Sequence, residues 1–144
     1  MPKTAREGAH RPLVSRRVPK RPGVTPQALI VDSPGPMLYV SGQLPLQAPT
    51  GKAFTGEAPR QIEICLGNIV NIIKDAEFDS AHAVRLTVYL KDLAHEAALG
   101  AALPKFFVDG NYPVLTVVQV AGLPDGAAVM MDAVVIRPPE GDSY

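Results

Sequence analysis

Two segments near the end of the chain constrain the fold more than any other feature. In residues 114–120, Val114, Val118 and Val120 alternate with Leu115 and Val117. In Val129–Ile136, Val129, Met131, Ala133 and Val135 alternate with Met130, Val134 and Ile136. Both have the β-branched richness and length of strands, and both are apolar on both sides. A sheet built on such strands must be covered on both faces. A 144-residue chain that is 47% apolar makes one domain of ordinary size, able to bury roughly 70% of its unfolded surface. Its helical segments suffice for one face only, so the second face is expected to be covered by other copies of the chain.

The remaining elements follow from periodicity. Residues 58–76 carry apolar side chains at 62, 65, 66, 69, 70, 73 and 76, the spacing of an amphipathic helix. Cys65, the only cysteine, lies on that stripe and reads as a small core residue. Ala83–Leu90 alternates as a strand. Residues 93–107 have helical spacing, with Pro104 expected to kink or shorten the last turn. Upstream, residues 13–18 read as a short edge strand. Residues 28–31 and 37–42 read as a hairpin through Asp32-Ser-Pro-Gly-Pro36, and residues 43–59 as a loop turning at Thr50-Gly51-Lys52. The predicted order is β-β-β-α-β-α-β-β, a mixed α+β sheet with two helices on one face.

Charge divides the chain. The 14 basic and 14 acidic groups cancel, but residues 1–21 hold seven basic groups against one acid, a balance of +6, which leaves −6 for residues 22–144. The prolines at 2, 12, 19 and 22 break any amphipathic helix in the basic stretch. Residues 1–21 therefore read as a basic, partly disordered tail, and residues 22–144 as a single domain. A transit segment or a polyanion-binding arm is the alternative. No apolar run reaches the ~20 residues of a membrane span. The expected setting is the cytoplasm, with a mitochondrion or other organelle if the basic segment is a transit peptide.

The sequence carries few chemistry-bearing motifs. No glycine-rich phosphate loop is present and no GxSxG elbow. His10, His82 and His95 lack metal-ligand spacing, so no metal and no cofactor is expected. The acidic body and sparse aromatic residues disfavour a nucleic-acid-binding platform.

An ordered set of short motifs is more specific. Tyr39-Val-Ser-Gly-Gln-Leu-Pro-Leu46 with Thr50-Gly51, Leu66-Gly-Asn-Ile69, Thr87-Val-Tyr-Leu-Lys-Asp-Leu93 and Phe106-Phe107 are followed by Val118-Gln-Val-Ala-Gly-Leu-Pro124 and Val129-Met-Met-Asp-Ala133. Together they resemble the Rid family of reactive intermediate deaminases, also called the YjgF or L-PSP endoribonuclease family, over about residues 13–137. The resemblance implies a chorismate-mutase-like α+β fold assembled as a homotrimeric barrel, which would cover the second face of the sheet. It also implies small-molecule pockets at the subunit interfaces and cofactor-free hydrolysis of enamines and imines to 2-keto acids and ammonia.

Carried over residue by residue, the resemblance fails at the polar positions. The family's substrate-holding arginine, nine residues before the proline of the Leu-Pro step, is Leu115 here. The glutamate six residues after that proline is Met130, and the tyrosine of the Gly-Pro-Tyr-Ser-Gln segment is Thr25. Gly42 is retained, and Val117 stands where the family often has cysteine; both offer backbone N–H groups. A carboxylate set against Leu115 and Met130 without a cation would cost several kcal/mol in desolvation. The expected function is thus a homotrimer that binds or transforms a neutral or apolar metabolite through Thr25, Gly42, Leu115, Val117 and Met130, without typical 2-imino acid deamination. Two alternatives remain. One is a divergent enamine or imine deaminase using Asp132, which shares a strand face with Met130, as general acid/base. The other, less favoured, is an RNA-associated endoribonuclease or translation inhibitor.

Overall fold

The computed structural model describes residues 10–140. Its strands begin with β1 (Arg11–Leu13), β2 (Ala28–Ile30), β3 (Met37–Gln43), β4 (Leu46–Gln47) and β5 (Lys52–Ala53). Helix α1 (Ala58–Asp75) follows, then β6 (Ala83–Leu90), α2 (Glu96–Phe106), β7 (Val114–Gln119) and β8 (Val129–Ile136). The main sheet has the order β3-β8-β6-β7. β8 is antiparallel to both its neighbours, and β7 runs parallel to β6 across the α2 crossover. The architecture is the expected α+β one.

Helix α1 starts with Pro59 in its first turn, where the missing N–H is no loss. It buries Ile62, Cys65, Leu66, Ile69, Val70 and Ile73 as one stripe. Its end is a Schellman motif: Phe78 N–H donates to Ile73 O at 3.0 Å and Glu77 N–H to Lys74 O at 2.9 Å, with Glu77 at φ 65°. The apolar stripe packs on Val40, Leu86, Val88, Leu90, Val129, Met131, Ala133 and Val135 of the sheet, and Leu99, Leu103 and Phe107 from the second helical region complete the core. The Cys65 thiol sits in this core, and burial pushes its pKa up to about 12.

Four expectations are revised. Residues 28–31 and 37–42 do not form a hairpin: β2 pairs with β1, and β3 pairs with β8. The connecting segment, with Pro34 and Pro36, lacks the two-residue positive-φ turn that closes a tight hairpin, whereas β8 offers β3 a long apolar partner. The edge strand is Arg11–Leu13 rather than residues 13–18, because Ser15 Oγ accepts the N–H groups of Arg17 and Val18 at 3.1 Å each and turns the chain away. Residues 93–107 are not one helix. A 3-10 turn at Leu93–His95, capped by Asp92, precedes α2, which runs two residues past Pro104. Finally, the 43–59 loop contains the small antiparallel β4–β5 ladder.

The N-terminal stretch is fastened across the position-21 boundary. The His10 Nε2–H donates to Ile136 O at 2.9 Å and to His82 O at 3.1 Å, and β1 pairs with β2. Residues 1–9, part of the expected tail, lie outside the described residues. Among the described residues, no helix is long and apolar enough to cross a membrane.

Candidate functional site

The register of the sheet sorts the candidate residues. Directly opposed residues share a face. Leu115 opposes Leu86 and Val117 opposes Val88; Leu86 and Val88 in turn oppose Ala133 and Met131. All of these face the helices, and Leu115 and Val117 pack against the core. Thr87 opposes both Thr116 and Asp132, Tyr89 opposes Met130 and Val118, and Tyr39 opposes Val134. These form the other face, which no helix among the described residues covers. Tyr39 is 71% exposed there, with Met37 at 49% and Val118 at 38%. The doubly apolar strands are therefore buried on one side and open on the other within a single chain.

The candidates accordingly form two groups. Thr25, Leu115 and Val117 line one cleft of about 400 Å3, between the 18–27 segment, the β7 edge and the start of α2. Gly42 and Met130 form the second group, on the open face. A Cβ at Gly42 would lie 2.9 Å from Met130 Sδ, so these two residues are packed together. Asp132 lies on this second face, where its Oδ2 accepts the Tyr89 hydroxyl at 2.9 Å. That hydrogen bond is the main reason the Tyr89 pKa is raised; burial and the Asp132 charge add to it, and Arg85 opposes it. Arg85 Nε is 3.3 Å from Thr87 Oγ1, so the open face carries a polar track across its middle. One chain does not bring Leu115 and Met130 into one pocket.

The sequence reading missed what the basic stretch does at the first cleft. Lys20 and Arg21 line it, together with Glu96 from the first turn of α2. Lys20 Nζ is committed to the loop, donating to Arg21 O at 3.1 Å and Gly23 O at 3.0 Å. Gln27 fastens the same loop: its Oε1 accepts Ser15 N–H at 2.7 Å and its Nε2 donates to Val18 O at 2.9 Å. A second cavity of about 470 Å3 shares Arg21, Thr25, Glu96 and Leu115 with the first. The pocket lacks an arginine on β7 but not a cation. The missed signal was the Gln27 amide, which ties the loop back onto the edge of the fold. Among the described residues, no group of three or more His, Cys, Asp or Glu is placed to hold a metal ion.

The family model for endoribonuclease L-PSP matches residues 27–137. The chain belongs to the L-PSP endoribonuclease family, that is, the YjgF/Rid family. Protein DfrA of Myxococcus xanthus is similar to this family member, at 33% identity over 94% of this chain and 99% of its own. The 2-iminobutanoate/2-iminopropanoate deaminase of Rattus norvegicus is 29% identical over 85% of this chain and 87% of its own. Among solved structures, E. coli TdcF with bound serine aligns with a TM-score of 0.65 and 27% identity, covering 88% of this Rid chain and 98% of TdcF. The match begins at Gln27, so Lys20 and Arg21 lie outside the stretch the family model describes.

Proposed function

We propose that this chain is a small-molecule-binding Rid protein that works as a homotrimer, with clefts at the subunit interfaces, and that it lacks the 2-imino acid deamination for which its mammalian relative is named. The observation that carries this reading is Leu115. The position at which the family resemblance expects a guanidinium holds an isobutyl group, packed on the core beside Leu86. It offers an apolar floor and no bidentate clamp for a carboxylate on β7. The ligand lays an apolar body on Leu115 and Val117. The open sheet face with Met37, Tyr39 and Val118 supports the trimer, because a patch of that kind is what subunit packing covers.

A coupled assay of 2-iminobutanoate hydrolysis should give the uncatalysed rate, and sedimentation should give three times the 15.3 kDa chain mass. Turnover comparable to that of the rat deaminase would refute the first part; a monomer would refute the second. A second reading has one specific observation behind it, the Tyr89–Asp132 hydrogen bond, which holds a carboxylate beside a phenol as an acid/base pair. If an imine substrate is turned over, Asp132→Asn should abolish that turnover. RNA cleavage has less support, since the body beyond residue 21 has a balance of −6.

A further inference from the structure

We propose that the segment from Leu13 to Val24 is a docking surface for an anionic lipid bilayer. Its cations meet the headgroup phosphates, and its exposed aliphatic side chains enter the headgroup layer. The surface is separate from the Leu115 cleft: Val18, Lys20 and Arg21 border that cleft, but Val14, Arg16 and Arg17 do not.

Three observations carry it. First, cations and aliphatic residues are interleaved there without an acid. Residues 8–31 contain no Asp or Glu, and Arg16, Arg17, Lys20 and Arg21 fall between Val14 and Val24. Residues 16–24 are all exposed. Among the described residues, no acid pairs with Arg16 or Arg17. Second, four of the ten large apolar side chains left exposed among the described residues lie in this short stretch: Leu13, Val14, Val18 and Val24, with Val14 at 66%. Val14 and Val24 line one cavity of about 220 Å3 with Lys20 and Leu29, so apolar and basic groups lie together. A surface that is both apolar and basic complements the boundary between anionic headgroups and acyl chains. Third, the loop is built in advance. Ser15 Oγ accepts the Arg17 and Val18 N–H groups, Gln27 clasps Ser15 N–H and Val18 O, and Lys20 Nζ holds two carbonyl oxygens, so docking need not order it.

The −6 balance of residues 22–144 orients the molecule, turning the basic loop toward an anionic surface. Single-stranded RNA is the poorer fit. The first aromatic residue of the sequence is Tyr39, so the segment has no ring for a base to stack on. Its aliphatic side chains gain nothing from phosphates.

The test uses the full chain and flotation with two vesicles, phosphatidylcholine alone and phosphatidylcholine with phosphatidylserine at roughly two to one. The protein should float with the serine-lipid vesicles only, and less so as salt rises. Arg16→Gln with Arg17→Gln should weaken this binding about 10-fold or more. Val14→Ser should weaken it several-fold while leaving the salt dependence in place. The chain has no tryptophan, so Val14→Trp supplies a single reporter. Its emission should shift to the blue on the anionic vesicles and be quenched by brominated acyl chains, whereas Leu46→Trp, exposed on β4, should show neither change. Equal flotation with the neutral vesicles, no effect of the paired arginine substitutions, or a tryptophan at position 14 that stays in water on bound protein would each overturn the proposal. A uridine oligonucleotide that binds through the same two arginines and displaces the vesicles would assign the surface to RNA instead.

Discussion

The Tyr89 hydroxyl donates to Asp132 Oδ2 at 2.9 Å, diagonally across the β6/β8 pair, on the sheet face that no helix among the described residues covers. The carboxylate accepts the phenol proton and so favours the neutral phenol, which raises the Tyr89 pKa above its ordinary 10.0. With the folded value raised, this contribution to stability is fully present below pH 10 and is lost as pH rises through the folded value. Asp132→Asn removes the charge and weakens the acceptor. The Tyr89 ring-carbon titration, followed by NMR, should move down toward the ordinary tyrosine range. The alkaline fall in the urea midpoint should flatten. An unchanged Tyr89 titration would mean the hydrogen bond does not set the phenol's proton affinity.

Glycines 35 and 42 are both crowded, and the crowding differs in kind. A Cβ at Gly35 would lie 2.5 Å from Pro138 C and O, and the Gly35 N–H already donates to Arg137 O at 2.8 Å. Backbone cannot step aside, so Gly35→Ala should push β3 away from the end of β8 and cost about 3 kcal/mol. At Gly42 the obstacle is the Met130 thioether, a flexible side chain. Gly42→Ala should cost about 1 kcal/mol, and Met130→Ala in the same chain should recover part of it by non-additivity. Chemical denaturation of the three proteins measures both. Equal costs at the two glycines would contradict the distinction.

The parts legible in the sequence were those set by local period. The stripe from Ile62 to Ile73 specified α1, alternation specified β6, and a β-branched apolar run of strand length specified β8, because each of these signals is carried by neighbouring residues. The pairing of β1 with β2 was not legible. Its strands are three residues long, one contains Pro12, and the His10 anchor reaches over 126 residues to Ile136. The site was half legible for the same reason. Parity along β8 placed Met130 and Asp132 together. Whether Leu115 joined them depended on the registers Val88 to Val117 and Val88 to Met131, which neither strand encodes alone. The placement of Arg21 beside Leu115 depends on a loop closed by Gln27, a long-range contact with no periodic signature.

Glu77 ends α1 in the left-handed region at φ 65°, a position that Gly occupies without a Cβ penalty. The Schellman hydrogen bonds from Glu77 and Phe78 use backbone atoms only and survive substitution. Arg137 Nη1 donates to the Glu77 carbonyl oxygen, which is also retained. Glu77→Gly should therefore stabilise the protein by about 0.5–1 kcal/mol, the left-handed strain outweighing the added freedom of the unfolded chain. Glu77→Ala should leave stability within about 0.5 kcal/mol, since it keeps the Cβ. Thermal unfolding of the two variants side by side decides it; a destabilised Gly variant would show that the strain is small.

Gln61 is a buried polar residue, 4% exposed, on the first turn of α1. Its Nε2 donates to Gly56 O at 2.9 Å, and its Oε1 accepts the Ala128 N–H at 2.9 Å. One side chain thus joins the loop before α1 to the entry of β8. Gln61→Leu keeps the volume and removes both bonds. The half-buried Ala128 N–H would then lose its partner, while the carbonyl of the exposed Gly56 can turn to water, at about 1–3 kcal/mol in all. Ile62→Val, one residue along on the same helix, removes only a methylene and should cost about 1 kcal/mol. Hydrogen exchange separates the two effects. Gln61→Leu should raise the exchange rate of the Ala128 amide well beyond the global loss of stability, whereas Ile62→Val should change all core amides together. If both variants shift Ala128 by the same factor, the Gln61 amide is a packing residue and its hydrogen bonds do not hold β8 in register.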